Sequence, residues 1–409
     1  MRQDLRVISL DEALDIVLKE IDFKLGCEVI DSSLSLGRHV SEDIKAEINV
    51  PDFKRSTVDG YAVRSKDLKG AGDSMPAFMK LKGSVGMGKG TDIKLTSSGD
   101  CAYVPTGGML PLNSDTVVMI EYSDKLDEET VLLMKENTPG ENVIDIGEDI
   151  EIGETIISKG KAIRPYEAGV LSSLGITRLN VFKKPVVGII STGDEVIGED
   201  DPMEPGKIRD INTRLLYNMS IEDGCNPVIY GHIKDDFELL KRTMEKALSE
   251  CDIVLISGGS SMGSGDFTRE VILTMKDSAV LFHGLAVKPG KPTIFGKSED
   301  KPIFGLPGHP LACAVIYGSL VRPLIKKLLY SNNNDFYLSC EFTENHHKSA
   351  GRTEFLPVTV DEKDGILKAC PIHAKSGMIS GFAKAYGYIR IPRNEEGLKE
   401  GQTVKVYKL

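Results

Sequence analysis

The sequence lacks several features that would place it in common classes of protein. It contains no run of about 18 apolar residues, so no membrane-spanning helix is predicted. Residues 1–17 carry acids throughout without a continuous apolar stretch, so a secretory signal is not expected. Lys and Arg number 50 against 61 Asp and Glu, which gives a formal net charge of −11. That balance argues against nucleic acid or an anionic membrane as the main partner, because neutralising phosphates requires clustered cations.

Cysteine is sparse and dispersed. The seven cysteines form no CxxC pair, so neither a disulfide framework nor a tetrahedral zinc site is predicted. We expect reduced thiols and a cytoplasmic protein. A small anionic ligand is still compatible with this acidic chain, because a basic pocket can form locally.

Length and glycine content indicate several domains with loops that approach a ligand. A chain of 409 residues exceeds one ordinary core and predicts about two to four domains. Many of the 41 glycines are clustered. Clustered glycine is typical of loops whose backbone must come close to a bound molecule.

The first part of the chain predicts a β-rich insertion between two helical segments. Ser9 to Glu12 forms a capping-box pattern, and apolar residues recur at helical spacing up to Ile21. A second helix is predicted from Glu167 to Leu174. We expect these helices to pack together, and the apolar face of the first to need a partner surface, as in a homodimer.

From Lys184 onward, strands and helices alternate. Apolar strands are predicted at 186–190, 252–256, 279–281 and 303–306, with helices at 213–223, at 236–249 and from near Pro310. This alternation predicts a parallel-rich sheet covered on both faces. Period-two runs after about Asn334 predict a small β domain. The predicted domains are a helical linker domain (1–45 and 149–180), an inserted β-rich domain (46–148), an α/β domain (181–330) and a C-terminal β domain (331–409).

Three polar or glycine-rich loops follow predicted parallel strands. The carboxyl ends of such strands lie at one edge of the sheet, where open α/β sheets bind ligands. We therefore expect a binding site at this edge. Its predicted residues are Thr192, Gly193, Asp194, Glu195, Ser257, Gly258, Gly259, Ser260, Ser261, Gly263, Asp266 and Pro307.

The loop from Ser257 to Gly265 offers many backbone N–H groups and small hydroxyls, which suit a phosphate or another oxyanion. It lacks the lysine of a P-loop, and a plain tight turn is the alternative. Acids from two of the loops, Glu195 and Asp266, predict Mg²⁺ between carboxylate and phosphate. Helix N-capping by Asp194 or Asp266 would explain those acids equally well.

Lys288 and Lys291 flank a Pro-Gly turn and are followed by Pro292, so they are presented from a rigid loop. Two fixed cations beside a glycine-rich pocket favour anion binding, and a solvated surface loop is the alternative. No catalytic triad can be assembled from the scattered histidines, so catalysis would depend on metal and electrostatic stabilisation.

Six motifs occur together in a fixed order. They are SxxDGYAV from Ser56, AIRPxExGxLxSxG from Ala162, STGDE from Ser191, ISGGxSxGxxDF from Ile256, KPGKP from Lys288 and LPGHP from Leu306. With this set the sequence resembles the MoeA, or gephyrin E-domain, family over essentially the whole chain. Each motif is weak alone, and the ordered set is specific.

The resemblance implies a molybdopterin molybdenumtransferase. Such an enzyme inserts molybdate into adenylated molybdopterin, which a molybdopterin adenylyltransferase supplies, and releases AMP with Mg²⁺ present. It implies an elongated homodimer of four-domain subunits with a small C-terminal β-barrel, whose site lies between the α/β domain of one subunit and the β domain of the other. The residues that match functional positions of the family are Asp59, Thr106, Asp149, Glu195, Asp266, Lys288, Lys291 and Arg352.

One loop departs from the family pattern. It reads Gly263-Ser264-Gly265-Asp266, whereas many relatives carry an acid two residues before the aspartate, so Asp266 is the only acid left in it. The alternatives to the transferase are a molybdopterin adenylyltransferase, which needs only the α/β domain, and a non-catalytic gephyrin-like scaffold. The flanking β domains argue against the first, and the absence of a fused second module in this sequence argues against the second.

Overall fold

The computed structural model describes residues 7–258, 265–331, 336–373 and 377–408, with the backbone alone at 265 and 266. Within these ranges there are three six-stranded sheets, one each in the inserted, α/β and C-terminal regions. No helix of the described chain is long and apolar enough to cross a membrane.

The first helix, Leu10–Glu20, packs differently from the prediction. Its N-cap is confirmed, since the Glu12 backbone N–H donates to Ser9 Oγ at 3.2 Å. Its apolar face is buried in the core of the α/β region, beside residues such as Leu324. The second helix, Pro165–Ser173, places Leu171 in a different cluster with Val40. The expectation that the two helices pack together is therefore wrong, and the covered face of the first gives no support to a dimer.

The segments on either side of the insertion form short antiparallel pairs. Strand Cys27–Asp31 pairs with Arg178–Phe182, and Ile44–Lys45 pairs with Thr155–Ile157. These pairs join the two ends of the linker region around the inserted domain. The N-terminal residue of the second helix is held by a capping box, in which the Arg164 backbone N–H donates to Glu167.

The inserted region is a β domain, as predicted. In sheet order its strands are Thr116–Met119, Gly60–Val63, Asp100–Val104, Ala77–Ser84, Thr130–Leu133 and Ser123–Lys125. A two-stranded pair, Arg55–Ser56 with Val143–Ile144, lies at its base. Alternate residues of the strands, such as Tyr61 and Val63, bury one side of the sheet against Leu68.

The central sheet contains the predicted parallel strands. In spatial order its strands are Asn226–Ile233, Val186–Thr192, Ile253–Ser257, Lys301–Leu306, Ile294–Ser298 and Ser278–His283. The first four are parallel, and Ile294–Ser298 is antiparallel to both of its neighbours, so the edge strand Ser278–His283 runs in the same direction as the first four. The run at 279–281 thus pairs with a strand, Ile294–Ser298, that was not predicted from sequence. Asn226–Ile233, at the opposite edge, was not predicted either.

Both faces of this sheet are buried, which explains its apolar strands. Ile189 and Leu255 contribute to one core cluster, whereas Ile190 and Ile256 contribute to the other. Successive residues of a strand point to opposite faces, so a sheet covered on both sides needs apolar residues at every position. The covering helices are Asn212–Glu222, Phe237–Glu250, Gly265–Leu273, Pro310–Ile316 and Arg322–Leu328, the last two joined by a π-helical turn.

The C-terminal region is a closed five-stranded barrel of Tyr337–Phe342, Thr353–Lys363, Ile366–Pro371, Gly387–Ile391 and Thr403–Lys408. A short strand of the α/β region, Val287–Lys288, adds to its outside in parallel with Thr353–Lys363. The Thr353 backbone N–H donates to the Ala286 carbonyl at 2.9 Å. This pairing fixes the barrel beside the lysine loop.

Candidate active site

The ends of three parallel strands meet at one edge of the central sheet. Ser191 is in register with Ser257, and Ser257 is in register with Leu306. A cleft of about 1590 Å³ lies between this edge and the C-terminal barrel. Nine of the residues predicted from sequence line it: Thr192, Gly193, Glu195, Ser257, Gly258, Lys288, Lys291, Pro307 and Arg352.

Three predicted residues lie elsewhere, in or at the base of the inserted domain. Asp59 and Thr106 are brought together, because the Thr106 backbone N–H donates to Asp59 Oδ1 at 2.7 Å and its hydroxyl donates to the same oxygen at 3.2 Å. Asp149 pairs through its backbone N–H with the Val50 carbonyl. All three side chains are exposed and none lines the cleft of this chain.

Part of the glycine-rich loop falls outside the described residues. Gly259, Ser260, Ser261 and Gly263 are in that part, so their predicted roles stay predictions. Asp266 lies in helix Gly265–Leu273, and its side chain is likewise not described.

Asp194 is exposed and does not line the cleft. The backbone N–H of Asp235 donates to its Oδ1 at 3.3 Å, and Lys207 Nζ donates to its backbone carbonyl at 2.6 Å. Asp194 therefore braces a loop. It does not cap a helix, because the next element of the chain is the short strand Val196–Ile197.

Gly258 allows two strand ends to approach closely. Its φ is +99°, a conformation that L residues rarely adopt, and a Cβ there would lie 2.1 Å from the Thr192 carbonyl oxygen. Only glycine fits this position. The close contact joins the Ser191–Glu195 loop to the loop that follows Ser257.

Asn212 is a site residue that the sequence analysis missed. It is the first residue of helix Asn212–Glu222 and is only 6% exposed. Its Nδ2 donates to Ser257 Oγ at 2.6 Å and to the Gly308 carbonyl at 2.8 Å, so it connects two of the loops. Its Oδ1 has no hydrogen-bond partner in the described chain. The pattern that predicted a helix from Thr213 carried no sign of this role.

Asp235 is a second residue that was missed. It lines the cleft, and partial burial together with the carboxylates of Asp194 and Glu195 raises its pKa. Two carboxylates that raise the pKa of a third indicate a local excess of negative charge. The signal available in the sequence was weak, because Asp235 is one of two adjacent acids after a strand.

These acids fit a magnesium ion that is shared with a substrate. Among the described residues, no three His, Cys, Asp or Glu side chains converge as a metal cage. Mg²⁺ does not need one, because it commonly takes one or two carboxylates and completes its shell with phosphate oxygens and water. Glu195 and Asp235 offer carboxylates, and the buried Thr192 hydroxyl beside them has no hydrogen-bond partner in the described chain.

The three predicted cations of the cleft are not equivalent. Lys288 Nζ donates to Glu354 Oε1 of the barrel at 2.8 Å. No ion pair is found for Lys291 or Arg352 within the described ranges, and both are exposed to the cleft. In the sequence, nothing distinguishes the two lysines, because both flank the same Pro-Gly turn. Within the described residues, Lys291 and Arg352 are positive charges without an ion-pair partner, whereas Glu354 partly neutralises Lys288.

Comparison with known proteins agrees with this architecture. Residues 8–175 match the "MoeA N-terminal region (domain I and II)", residues 188–327 the "Probable molybdopterin binding domain" and residues 340–409 the "MoeA C-terminal region (domain IV)". A protein of Bacillus subtilis named molybdopterin molybdenumtransferase is 33% identical over 91% of this chain and 87% of its own length. The corresponding protein of Haemophilus influenzae is 30% identical over 98% of both chains.

A solved structure shows the same arrangement of the chain. The crystal structure of the molybdopterin biosynthesis MoeA protein from Pyrococcus horikoshii superimposes with a TM-score of 0.84 at 38% sequence identity, and covers 98% of this chain and 99% of the other. Identity at this level over nearly the full length, with all four regions in the same order, shows that this chain belongs to the MoeA family.

Proposed function

We propose that this protein acts in molybdenum cofactor biosynthesis by inserting molybdate into adenylated molybdopterin, with Mg²⁺-dependent release of AMP. The observation that carries the proposal is that one cleft contains both kinds of charge. Lys291 and Arg352 supply cations that have no ion-pair partner among the described residues, and Glu195 and Asp235 supply carboxylates. A dianionic metal oxyanion and a magnesium-bound phosphate require these two environments in one site.

Different groups of cleft residues would bind different parts of the substrates. Lys291 and Arg352 would bind and orient the oxyanion, because charge-assisted hydrogen bonds to oxyanions are short and directional. The backbone at Gly258 and the Ser257 hydroxyl, held by Asn212, would orient the phosphate side of the substrate. Glu195, Asp235 and Asp266 would hold Mg²⁺, which when bound stabilises the negative charge that develops as the link between AMP and molybdopterin breaks.

The proposal includes a homodimer in which the Asp59 loop completes the cleft of the other subunit. Support comes from the Asp59–Thr106 pair, which is preformed and exposed but lies outside the cleft of its own chain. An aspartate that is held in place by a backbone N–H and exposed to solvent can contact a substrate bound in the cleft of a second subunit. The upstream donor would be a molybdopterin adenylyltransferase, and we expect the protein to work in the cytoplasm without nucleic acid.

The test supplies purified protein with adenylated molybdopterin, molybdate and Mg²⁺. We expect AMP release coupled to formation of molybdenum-molybdopterin, and loss of both on adding EDTA. AMP release that does not need molybdate would point to simple hydrolysis. Adenylation of molybdopterin from ATP by this chain would replace the proposal with the adenylyltransferase.

A further inference from the structure

Glu354 of the barrel is a buried carboxylate at the cleft wall with an unusual set of neighbours. Its side chain is 8% exposed, and Oε1 accepts a hydrogen bond from Lys288 Nζ at 2.8 Å. Its other oxygen, Oε2, is buried without a hydrogen-bond partner in the described chain. Burial of an incompletely paired carboxylate costs free energy, and native proteins keep such groups mainly where they have a role.

His346 lies on the other side of the same carboxylate. Its Nε2 is 3.6 Å from Glu354 Oε2, which is too long for a hydrogen bond, and this nitrogen is itself buried and unpaired in the described residues. The His346 ring stacks on His373, with the ring centroids 6.4 Å apart, and His373 contacts Glu344 Oε1 at 2.7 Å. Stacking on His373 therefore holds the His346 ring beside Glu354. A small shift of the ring toward Oε2 would give the carboxylate a second hydrogen bond.

Lys288 is held by the barrel through its backbone as well as its side chain. Lys288 is in register with Glu354 in the parallel pairing between the two regions, which places their side chains next to each other. The lysine side chain is still 62% exposed. An ammonium has three N–H donors, and one of them is used by Glu354, so the other two can reach into the cleft.

We propose that Glu354 is a positioning residue: it fixes the Lys288 ammonium at the cleft so that its remaining N–H groups meet a substrate oxyanion, with His346 supporting the carboxylate from behind. This inference rests on the proposed function, because it takes an oxyanion as the ligand of Lys288. It also gives the barrel a defined part in the site of the α/β domain.

The direction in which molybdate affinity changes on substitution of Glu354 distinguishes a positioning role from a purely electrostatic one. If Glu354 acted only through its charge, Glu354→Gln would bind an anion more tightly, and Glu354→Asp would bind it as the wild type does. If Glu354 positions Lys288, both variants bind more weakly, because one loses the charge-assisted bond and the other withdraws the carboxylate. We expect molybdate binding to weaken by about five- to tenfold in each.

A double-mutant cycle shows whether the effect passes through Lys288. In a Lys288→Ala background, Glu354→Gln should change molybdate binding no further, whereas in the matched Lys291→Ala background its full effect should persist. Equal effects in both backgrounds would overturn the proposal. Melting temperatures show whether each variant is folded, and Glu354→Asp keeps the test usable if the Gln variant is not.

A second measurement needs no ligand. Acetic anhydride modifies the neutral amine, and Lys288 must first lose its bond to Glu354, so in wild type we expect Lys288 to be modified severalfold more slowly than Lys291 in the same molecule. The difference should disappear in Glu354→Gln, as read by peptide mass spectrometry. Equal modification rates in wild type would overturn the proposal. If the acetylation rates are as expected but the protein does not bind molybdate, Glu354 still holds Lys288. In that case it is the proposed substrate that is rejected.

Discussion

The cleft of the central sheet and the Asp59 loop of the inserted sheet present functional side chains in opposite ways. In the cleft, loops from three strand ends, a helix N-terminus and the barrel converge, and distant residues such as Asn212 and Ser257 are bonded directly. Among the described residues, Asp59 is hydrogen-bonded within its own domain, through its side chain to Thr106 and through its carbonyl to the Ile120 N–H, and its side chain is exposed. The difference teaches that the cleft residues are positioned by contacts between domains, whereas Asp59 is positioned inside one domain and does not line the cleft of its own chain.

The largest expected effect tests whether the two regions meet across subunits. Asp59→Asn and Lys291→Ala should each reduce AMP release on the order of a hundredfold. In a homodimer with shared sites, mixing and reassociating the two variants in equal amounts makes half of the dimers mixed, each with one intact site. About a quarter of wild-type activity should then return.

Asn at position 59 can still accept the Thr106 N–H, so this variant should stay folded. The control is the double variant mixed with wild type, whose mixed dimers contain no intact site under the shared arrangement. Wild-type dimers alone leave about a quarter of the activity in that control. Recovery to about half in the control, with none in the mixture of single variants, would place Asp59 and Lys291 in the same subunit's site.

The second prediction concerns the rigidity of the cleft. Gly258→Ala puts a Cβ 2.1 Å from the Thr192 carbonyl oxygen, so it should separate two strand ends and reduce activity by about ten- to a hundredfold. Gly224, which follows helix Asn212–Glu222 and does not line the cleft, also has positive φ (+79°), but a Cβ added there would meet no atom within 4 Å. Gly224→Ala therefore matches the backbone strain without the clash, and its melting temperature should fall less. Equal losses of activity and stability would show that strain alone, and not the contact, matters at Gly258.

The third prediction separates the two lysines of the cleft wall. Lys291→Ala should weaken molybdate binding by about ten- to a hundredfold with an unchanged melting temperature, since its charge has no partner in the described chain. Lys288→Ala should weaken binding and also lower stability by about 1–2 kcal/mol, because it leaves the buried Glu354 carboxylate unpaired. Calorimetric titration and thermal melts measure both. Identical behaviour of the two variants would contradict the distinction that the Glu354 contact makes.

The smallest expected effect concerns Asp235 and the carboxylates beside it, Asp194 and Glu195. Because the pKa of Asp235 is raised in the folded state, the folded protein binds more protons there than the unfolded chain, so this group lowers stability as pH rises. The melting temperature of Asp235→Asn, measured in EDTA, should match wild type below the ordinary Asp pKa of about 3.8. It should exceed wild type increasingly above that pH, and level off above the raised pKa, at a difference on the order of 1–3 °C.

Mg²⁺ should reduce this difference, since a cation favours the charged carboxylate. Asp236→Asn is the matched control, because it removes the same charge one residue later and Asn can still cap the helix Phe237–Glu250. A constant difference across the pH range would mean that the cleft acids do not repel one another in the folded protein.

Much of this molecule could be predicted locally. Helices with clear caps or periodicity, such as Phe237–Glu250, were placed within two residues. Three of the four parallel strands were recognised from their unbroken apolar runs, and the fourth, Asn226–Ile233, was missed because this edge strand is only partly buried. Nine predicted site residues line one cleft, because loops after parallel strands must emerge at one edge. The antiparallel strand Ile294–Ser298 was missed, since it follows the lysine loop without a separate turn signal.

The sequence by itself determined the elements, the order of the domains, the edge of the sheet at which ligands bind and the family. It could do so because hydrophobic period, turn residues and caps act between near neighbours. Only the tertiary structure decided that the first helix is covered by its own chain, that Asp235 joins the acids of the cleft and that Glu354 takes one lysine and leaves the other. Those outcomes depend on groups up to hundreds of residues apart, and their distance of approach is set by packing of whole domains, which no local pattern encodes.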